Sequence, residues 1–276
     1  MKTVSKFRKG APARLVHLLG AFTTFLGVVN SGFAAEQTPP SAAQVLDRTG
    51  NYVEHFLEDF SSVKCAELVT QIKLKESGKA EYSEDSSFDY LVLNQSSNGE
   101  LALIESRLAD HPPKHTRNLP LLVTNGFSTL LLVFHPSYQT SFEFTPMESE
   151  VRNGKSYLRV HFRHVSGTRS TAALLLRGRE YPLSLEGDAW VDSESGVIAR
   201  INAGLVTSLE DVGLRSLQCE VEYEPTNFPG VDHAYWLPIT ATVDVETPRQ
   251  HWRNKHRFTA YQRFSTSVES KIGVTR

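Results

Sequence analysis

Groups that could carry out chemistry are sparse in this sequence of 276 residues. The nearest approach to the Gly-x-Ser-x-Gly turn of a serine hydrolase is residues 126–130, where a leucine stands in place of the closing glycine. Residues 152–156 resemble the end of a phosphate-binding loop, but Ser149 stands where that loop needs its first glycine. We therefore expect neither a hydrolase elbow nor a nucleotide site, and we interpret residues 153–154 as a hairpin turn.

The histidines do not form a recognisable metal site. No His-Glu-x-x-His motif occurs. His161 and His164 are three residues apart in a predicted strand, so their side chains should point to opposite faces. His111 and His115 flank two prolines in a predicted loop. We expect no bound metal and no cofactor.

Cys65 and Cys219 are the only cysteines. In an oxidising compartment two cysteines within reach usually pair, and closing a loop of about 150 residues would stabilise the fold by several kcal/mol. Cys219 also falls on the apolar side of a predicted strand, where a free thiol packs as a small core residue. A disulfide and two buried free thiols are therefore both open. Neither cysteine has a nearby base in the sequence that would make it a nucleophile.

Two tryptophans lie within predicted strands. Trp190 and Trp236 fall opposite the alternating aliphatic residues of their strands, which predicts positions on the outer face or the rim of a sheet. Because aromatic side chains often line binding pockets, both are candidate contacts for a ligand or partner.

A basic run near the C-terminus is the sharpest local concentration of charge. It includes Arg253 and Arg257 and is interleaved with Trp252. This basic run has two possible roles. The first is a docking face for an anionic lipid head group or an acidic partner. The second is a solvated strand face that pairs with the acidic residues at 220–224. All three residues are candidate contacts.

The N-terminus has the pattern of a cleavable export signal. An apolar run at residues 15–29 follows a basic segment and is shorter than the roughly 20 residues that span a membrane. Cleavage after Ala34 leaves small residues at both specificity positions, whereas cleavage after Ala35 leaves a phenylalanine at one of them. We predict a signal peptide at residues 1–34 and a single domain at 35–276, free in the periplasm or secreted, with no membrane span after cleavage.

Removal of this segment changes the charge of the chain. It takes away five of the 29 Lys and Arg and none of the 31 Asp and Glu, so the formal net charge falls from −2 to −7. Nucleic-acid binding needs a surplus of Lys and Arg on one face, and we exclude it on this ground.

Periodicity predicts the elements that would position these groups. Apolar residues recur at three- and four-residue steps over 41–60, which predicts a helix, although Gly50 weakens its continuity. A second helical segment is predicted at 119–134. About nine strands alternate between apolar and polar residues, including a hairpin at 183–205 that turns at 192–196.

Successive strands joined by tight turns should pair antiparallel. The expected fold is therefore α+β, a strongly curved antiparallel sheet or half-barrel wrapped around one or two helices. A closed barrel or a sandwich remains the alternative.

The segments at 181–192, 235–238 and 247–254 resemble a family of uncharacterised exported bacterial proteins. The architecture of that family is similar to the periplasmic lipoprotein-carrier (LolA/LolB-like) superfamily, which includes lipoprotein chaperones and an envelope-stress regulator. The resemblance implies a half-barrel whose concave side holds acyl chains or an apolar segment of a partner. It shares no catalytic or binding motif with the carriers, so it implies no role for any single residue.

The sequence thus favours a non-enzymatic exported binding module for a lipid, a lipidated protein or a hydrophobic segment. An envelope protein-interaction or sensing domain is the alternative, and its lead is the basic run. A hydrolase with dispersed residues is the third hypothesis, and a cleft in which Ser, His and Asp converge would support it.

Export gives the first testable prediction. When the full chain is expressed in a bacterial host, the mature protein should begin at Ala35, because small residues then occupy both specificity positions of the cleavage site. The intact mass of protein recovered from the periplasm or medium measures this. Recovery of the uncut chain in the membrane fraction would contradict it.

Overall fold

The computed structural model describes residues 40–97, 100–111, 127–152, 154–176 and 178–264. The predicted signal peptide and the first part of the predicted second helix lie outside these residues. In the described part the helices are α1 (Ala42–Phe60), α2 (Pro136–Gln139) and two 3-10 helices at Phe127–Phe134 and Glu210–Val212. The strands are β1 Val63–Leu74, β2 Ala80–Ser97, β3 Glu100–His111, β4 Phe142–Arg152, β5 Lys155–His164, β6 Ala173–Leu176, β7 Arg179–Pro182, β8 Leu185–Val191, β9 Ile198–Leu205, β10 Ser216–Thr226, β11 Tyr235–Glu246 and β12 His251–Arg263.

Ten of the strands form one antiparallel sheet in the order β3-β2-β1-β12-β11-β10-β9-β8-β5-β4, and β6 pairs with β7 in a separate hairpin. The sheet is not closed, since β3 and β4 are its two edges. This confirms the predicted α+β class with a curved antiparallel sheet. The hairpin predicted at 183–205 is confirmed as β8 and β9, which pair from Leu185↔Leu205 to Val191↔Ile198.

Three strands were not predicted, namely β4, β6 and β7. Most side chains of β4 are exposed and the strand contains Pro146, so it lacks the alternation that marks a half-buried strand. An edge position explains both features, because only one side of the strand must donate and accept ladder hydrogen bonds.

Helix α1 covers one face of the sheet, here called the inner face, which carries Cys65 and Val221. Ser41 caps the helix through a capping box with Gln44. The ring of Phe56 meets Tyr223 of β10 edge-on at 5.8 Å, and Phe60 lies 6.3 Å from Tyr90 of β2. The helix therefore bridges distant strands. Its fully buried apolar side chains are Val45, Val53, Phe56, Leu57 and Phe60.

Gly50 does not interrupt α1. A Cβ at this position would lie 2.8 Å from the Nε2 atom of Gln139 and 3.4 Å from the carbonyl oxygen of Phe134. That Nε2 atom donates to the carbonyls of Leu46 and Phe134 at 3.2 and 2.8 Å. Gly50 thus allows the segment at 127–139 to approach the helix closely, so its role is packing.

The β8–β9 turn also touches α1 through a glycine. Gly196 has φ +77, and a Cβ there would lie 2.5 Å from the backbone of Arg48. The Nη1 atom of Arg48 donates to the carbonyl of Ser193 at 2.8 Å. The turn and the helix therefore meet backbone to backbone.

Substitution of Gly196 tests this contact. Gly196→Ala should destabilise the protein by about 2–5 kcal/mol, because a positive φ and an overlap with backbone atoms add together. Gly213→Ala is the matched control, since Gly213 has φ +83 with nothing within 4 Å, and it should cost only about 1–2 kcal/mol. Urea unfolding measures both. Equal losses would show that the turn does not pack on α1.

Candidate binding cleft

A cleft of about 640 Å³ opens between α1 and the turns that follow β8 and β10. Its aromatic lining residues are Tyr52 and Phe56 of α1, of which Phe56 is almost fully buried, and Trp236 of β11. Polar side chains surround this surface at the mouth. The remaining lining residues are Arg48, Asn51, His55, Glu58, Asp59, Ser195, Val197, His233 and Ala234.

Two tyrosine hydroxyls are buried next to the apolar surface of the cleft. Tyr52 lies 6.2 Å from Phe56, which in turn meets Tyr223 edge-on. Neither the Tyr52 nor the Tyr223 hydroxyl has a hydrogen-bond partner among the described residues. Burial raises the pKa of both phenols well above the ordinary value, so both stay protonated. An unsatisfied buried hydroxyl costs about 1–3 kcal/mol, which a ligand offering acceptor oxygens would recover.

An ion pair crosses the mouth of the cleft. The Nε2 atom of His233 lies 3.5 Å from the Oδ2 atom of Asp59, and its Nδ1 atom lies 3.1 Å from the Oδ1 atom of Asp232. The hydrogen bond to Asp232 and the charge of Asp59 raise the pKa of His233. Burial raises the pKa of Asp59 although His233 opposes this effect. The contact ties α1 to the β10–β11 loop.

Ser195, His233 and Asp59 line the same cleft and are the three residue types that a serine hydrolase would need there. Both ring nitrogens of His233 face carboxylates, and neither is hydrogen-bonded to a serine among the described residues. The Ser195 hydroxyl instead accepts from the backbone N–H of Val197 at 3.4 Å. A serine nucleophile needs a ring nitrogen that accepts its proton, and this arrangement does not supply one.

The structure separates the three tryptophans. Trp236 lines the cleft, whereas Trp190 lies in a small outer cluster with Tyr157 and Ala199 that Trp236 also borders. The guanidinium of Arg200 lies 4.4 Å from the centroid of the Trp190 ring. Trp190 is therefore covered by protein and does not line the cleft.

Trp252 and the basic run lie on opposite faces of β12. Trp252 is 7% exposed and shares its face with the buried residues Asn254 and His256, while Lys255 and Arg257 point outward. A strand alternates its side chains, so Trp252 does not belong to the basic surface.

The predicted partner of the basic run was wrong. Arg253 binds Asp244 of β11, with Nε 2.9 and 3.1 Å from its two carboxylate oxygens. Glu220 and Glu222 bind Arg200 and Arg152 instead. The reason is strand order, because β11 lies between β10 and β12.

Cys65 and Cys219 are both buried free thiols. They lie on β1 and β10, and β12 and β11 separate these strands. Adjacent strands are about 4.8 Å apart, whereas bridged cysteines need Cα atoms within about 7 Å. The geometry therefore argues against the disulfide that the sequence left open. Burial raises the pKa of each thiol to about 12, which keeps both protonated.

A buried ionic cluster on the inner face was not predicted. Glu67 of β1 binds the Nη2 atom of Arg107 at 3.1 Å and the Nδ1 atom of His256 at 2.8 Å. A second carboxylate, Glu105, lies 3.2 Å from the Nη1 atom of Arg107. The only signal in the sequence was the position of Glu67 between Cys65 and Val69, on the inward side of a strand.

Comparisons with known proteins give relatives in structure alone. No family model matches the sequence, and the search of curated proteins finds no match. A lipoprotein-sorting protein domain of the outer membrane from Vibrio parahaemolyticus matches with a TM-score of 0.45 and 9% identity, over 83% of this chain and 96% of that one. A DUF1329 family protein from Desulfovibrio piger matches with a TM-score of 0.43 and 13% identity, over 86% and 96%.

The lipoprotein LppX from Mycobacterium tuberculosis matches with a TM-score of 0.25 and 9% identity, over 83% of this chain and 100% of that one. Two of these three neighbours are thus a lipoprotein-sorting protein domain and a lipoprotein by name. Such low scores and identities transfer no ligand and no residue role to this chain. No helix in the described residues is long and apolar enough to cross a membrane.

The buried cluster makes stability depend on pH. Burial alone would raise the pKa of Glu67, but the hydrogen bonds from His256 and Arg107 outweigh it and lower the pKa below its ordinary value of 4.5. A carboxyl with a lowered pKa stabilises the fold above its ordinary pKa, and this contribution is lost as the pH falls through the folded-state pKa.

Glu67→Gln should therefore lower stability by about 3–5 kcal/mol at neutral pH and flatten the decline below about pH 4.5. Urea unfolding at a series of pH values measures this. Glu81→Gln is the control, because Glu81 forms an exposed ion pair with Lys73 and should change little. If both variants keep the acid decline of the unmodified protein, the cluster does not carry it.

Proposed function

We propose that the protein is an exported, non-enzymatic binding module that holds an apolar ligand on the inner side of its sheet. The ligand is a lipid, the acyl chain of a lipidated protein or a hydrophobic segment, and it enters through the cleft. The observation that supports this proposal is the aromatic surface of Tyr52, Phe56 and Trp236 at the point where the cleft meets the core.

The size and chemistry of the cleft suit such a ligand. Pockets for small molecules enclose about 300–1,000 Å³ and combine mostly apolar walls with a few polar groups. Besides the polar side chains at its mouth, the cleft has the buried hydroxyl of Tyr52 in its lining, and the hydroxyl of Tyr223 lies behind Phe56; both can donate a hydrogen bond. They favour a ligand whose apolar chain ends in acceptor oxygens, such as an ester or a carboxyl group.

The side chains near the cleft favour a binding protein over an enzyme. Two carboxylates contact the ring nitrogens of His233. The two cysteines lie in the core, outside the cleft, where burial raises the pKa of both thiols. A hydrolase would require His233 to turn toward Ser195. Ser195→Ala should therefore leave both ligand binding and background ester hydrolysis unchanged.

Ligand capture can be tested with the mature protein, residues 35–276. Protein purified from the exported fraction should carry lipid that mass spectrometry identifies, and after delipidation it should take up a fluorescent fatty acid. Ala234→Arg places a long charged side chain in the cleft and should weaken uptake at least about tenfold, because it fills the space of the ligand and brings a charge beside the apolar chain.

Val151→Arg is the matched control, because Val151 is 71% exposed on edge strand β4 and does not line the cleft. It should leave uptake unchanged. If the purified protein carries no lipid and takes up no fluorescent fatty acid, the proposal is wrong. Equal uptake by both variants would place the ligand elsewhere.

A further inference from the structure

The outer face of the sheet carries an exposed apolar patch at the β3 edge. It consists of Leu68, Leu91, Leu93, Ile104 and Leu108, here called the outer patch. Four of them are large exposed hydrophobic residues, with Leu68 42%, Leu93 38%, Ile104 43% and Leu108 64% exposed. Leu93 and Ile104 are direct partners across β2 and β3, and Leu91 pairs with the adjacent Ser106. Leu91, Leu93, Ile104 and Leu108 are therefore neighbours on β2 and β3. Leu68 on β1 stands apart from them, because it pairs with Ser87 and because Asp89 lies between it and Leu91.

Exposed Lys and Arg side chains lie next to this patch as cross-strand partners of its residues. Leu68 pairs with Arg257 of β12, and Leu91 pairs with Lys64 of β1. Lys255 lies two residues from Arg257 on the same face of β12. Lys64, Lys255 and Arg257 are exposed, and none of them forms an ion pair with a described residue. Arg253 is different, because Asp244 holds it.

Two carboxylates share this surface. Asp85 accepts a hydrogen bond from the Thr70 hydroxyl at 2.6 Å. Asp89 is exposed and pairs with Ala66 and Leu108. Among the side chains that the structure describes here, three unpaired cations thus face two acids, so their summed charge is positive although the predicted mature domain as a whole is acidic.

We propose that this face of the sheet docks on the surface of a bilayer that contains anionic lipid. Exposed aliphatic side chains enter the boundary between head groups and acyl chains, while neighbouring Lys and Arg contact the anionic head groups. The charge complementarity comes from Lys64, Lys255 and Arg257, for which the described residues provide no ion pair. The patch lies on the face of the sheet opposite α1 and includes residues of β1, β2 and β3, so it extends over three neighbouring strands.

The docking face is separate from the cleft, because none of the residues of the outer patch and none of its three cations lines the cleft. It does not require that the cleft hold a lipid, and the two proposals can fail independently. The expected result is that Ala234→Arg, which blocks the cleft, leaves docking unchanged.

Sedimentation with vesicles tests the proposal on the mature chain. The protein should bind phosphatidylcholine vesicles that contain phosphatidylglycerol and bind pure phosphatidylcholine much more weakly, and added salt should weaken binding. Lys255→Ala with Arg257→Ala should reduce affinity about 25-fold, at about fivefold for each cation. Asp89→Asn should increase affinity, because it removes a negative charge from the face.

The apolar contribution needs its own variants. Leu93→Ser with Ile104→Ser should reduce affinity about tenfold. Leu108→Ser, at the most exposed position, gives a second measurement should the double variant fold poorly. Controls lie on β4 and β5, at the opposite end of the sheet. Met147→Ser with Val151→Ser and Arg159→Ala with Arg163→Ala match the two changes and should leave binding unchanged.

The outcomes separate membrane docking from other partners. Failure to bind anionic vesicles, or equal losses in the control variants, overturns the proposal. Binding of a polyglutamate peptide through Lys255 and Arg257 without vesicle binding would also overturn it and would identify the face as a site for acidic protein. Loss of vesicle binding in Ala234→Arg would overturn the separation of the two sites.

Discussion

The sheet of this protein has one apolar face and one largely polar face, and ten strands cannot leave the apolar face in water. Helix α1 provides much of the cover. Its apolar stripe reaches Tyr223 of β10 and Tyr90 of β2, so a single helix bridges strands far apart in the sheet. Burial of a large aliphatic or aromatic side chain contributes about 1.5–3 kcal/mol, and five such residues of the helix are buried. Loss of this contact would expose the centre of the core.

Helix α1 packs closely against neighbouring segments at some points and less closely at others, and the cleft lies where the packing is less close. Gly50 and Gly196 let the backbone or polar groups of neighbouring segments come within contact distance of α1. Beyond these approaches, toward the C-terminal half of α1, Tyr52 and Phe56 line the cleft together with Ala234 of the β10–β11 loop. The Asp59–His233 ion pair crosses the resulting mouth. The packing that secures the helix thus also shapes the candidate binding site.

The two ends of the sheet differ in chemistry. Near β4 and β5 the inner face is aromatic, where Phe134 packs against Phe144 and Phe162. Near β1 to β3 it holds the charged cluster of Glu67 and Arg107, and the outer face of the same strands carries the exposed aliphatic residues. The inner face of these strands thus combines a charged cluster with buried apolar residues such as Cys65 and Tyr90. Exposed aliphatic residues grouped on an outer face are typical of surfaces that bind a partner or a membrane.

Much of the fold follows from local pattern. Alternation predicted most of the strands, and the spacing of apolar residues predicted α1, because burial on one side leaves a period in the sequence. Edge strand β4 was not predicted, because most of its side chains are exposed and it therefore lacks the alternation. The candidate site could be predicted only in part. Trp236 was identified as a contact residue and lines the cleft, but Trp190 and Trp252 are held elsewhere in the protein.

The sequence by itself determined the class of fold, the basic and apolar N-terminal segment and the sparseness of catalytic motifs. Each of these depends on residue type or on short-range spacing. Only the tertiary structure decided which strands are neighbours. Strand order places Arg253 next to Asp244 and separates Cys65 from Cys219 by two intervening strands. It also brings Glu67 into contact with His256, which is 189 residues away in the chain. These contacts join residues distant in sequence, and alternation within a strand specifies its faces without specifying its partners.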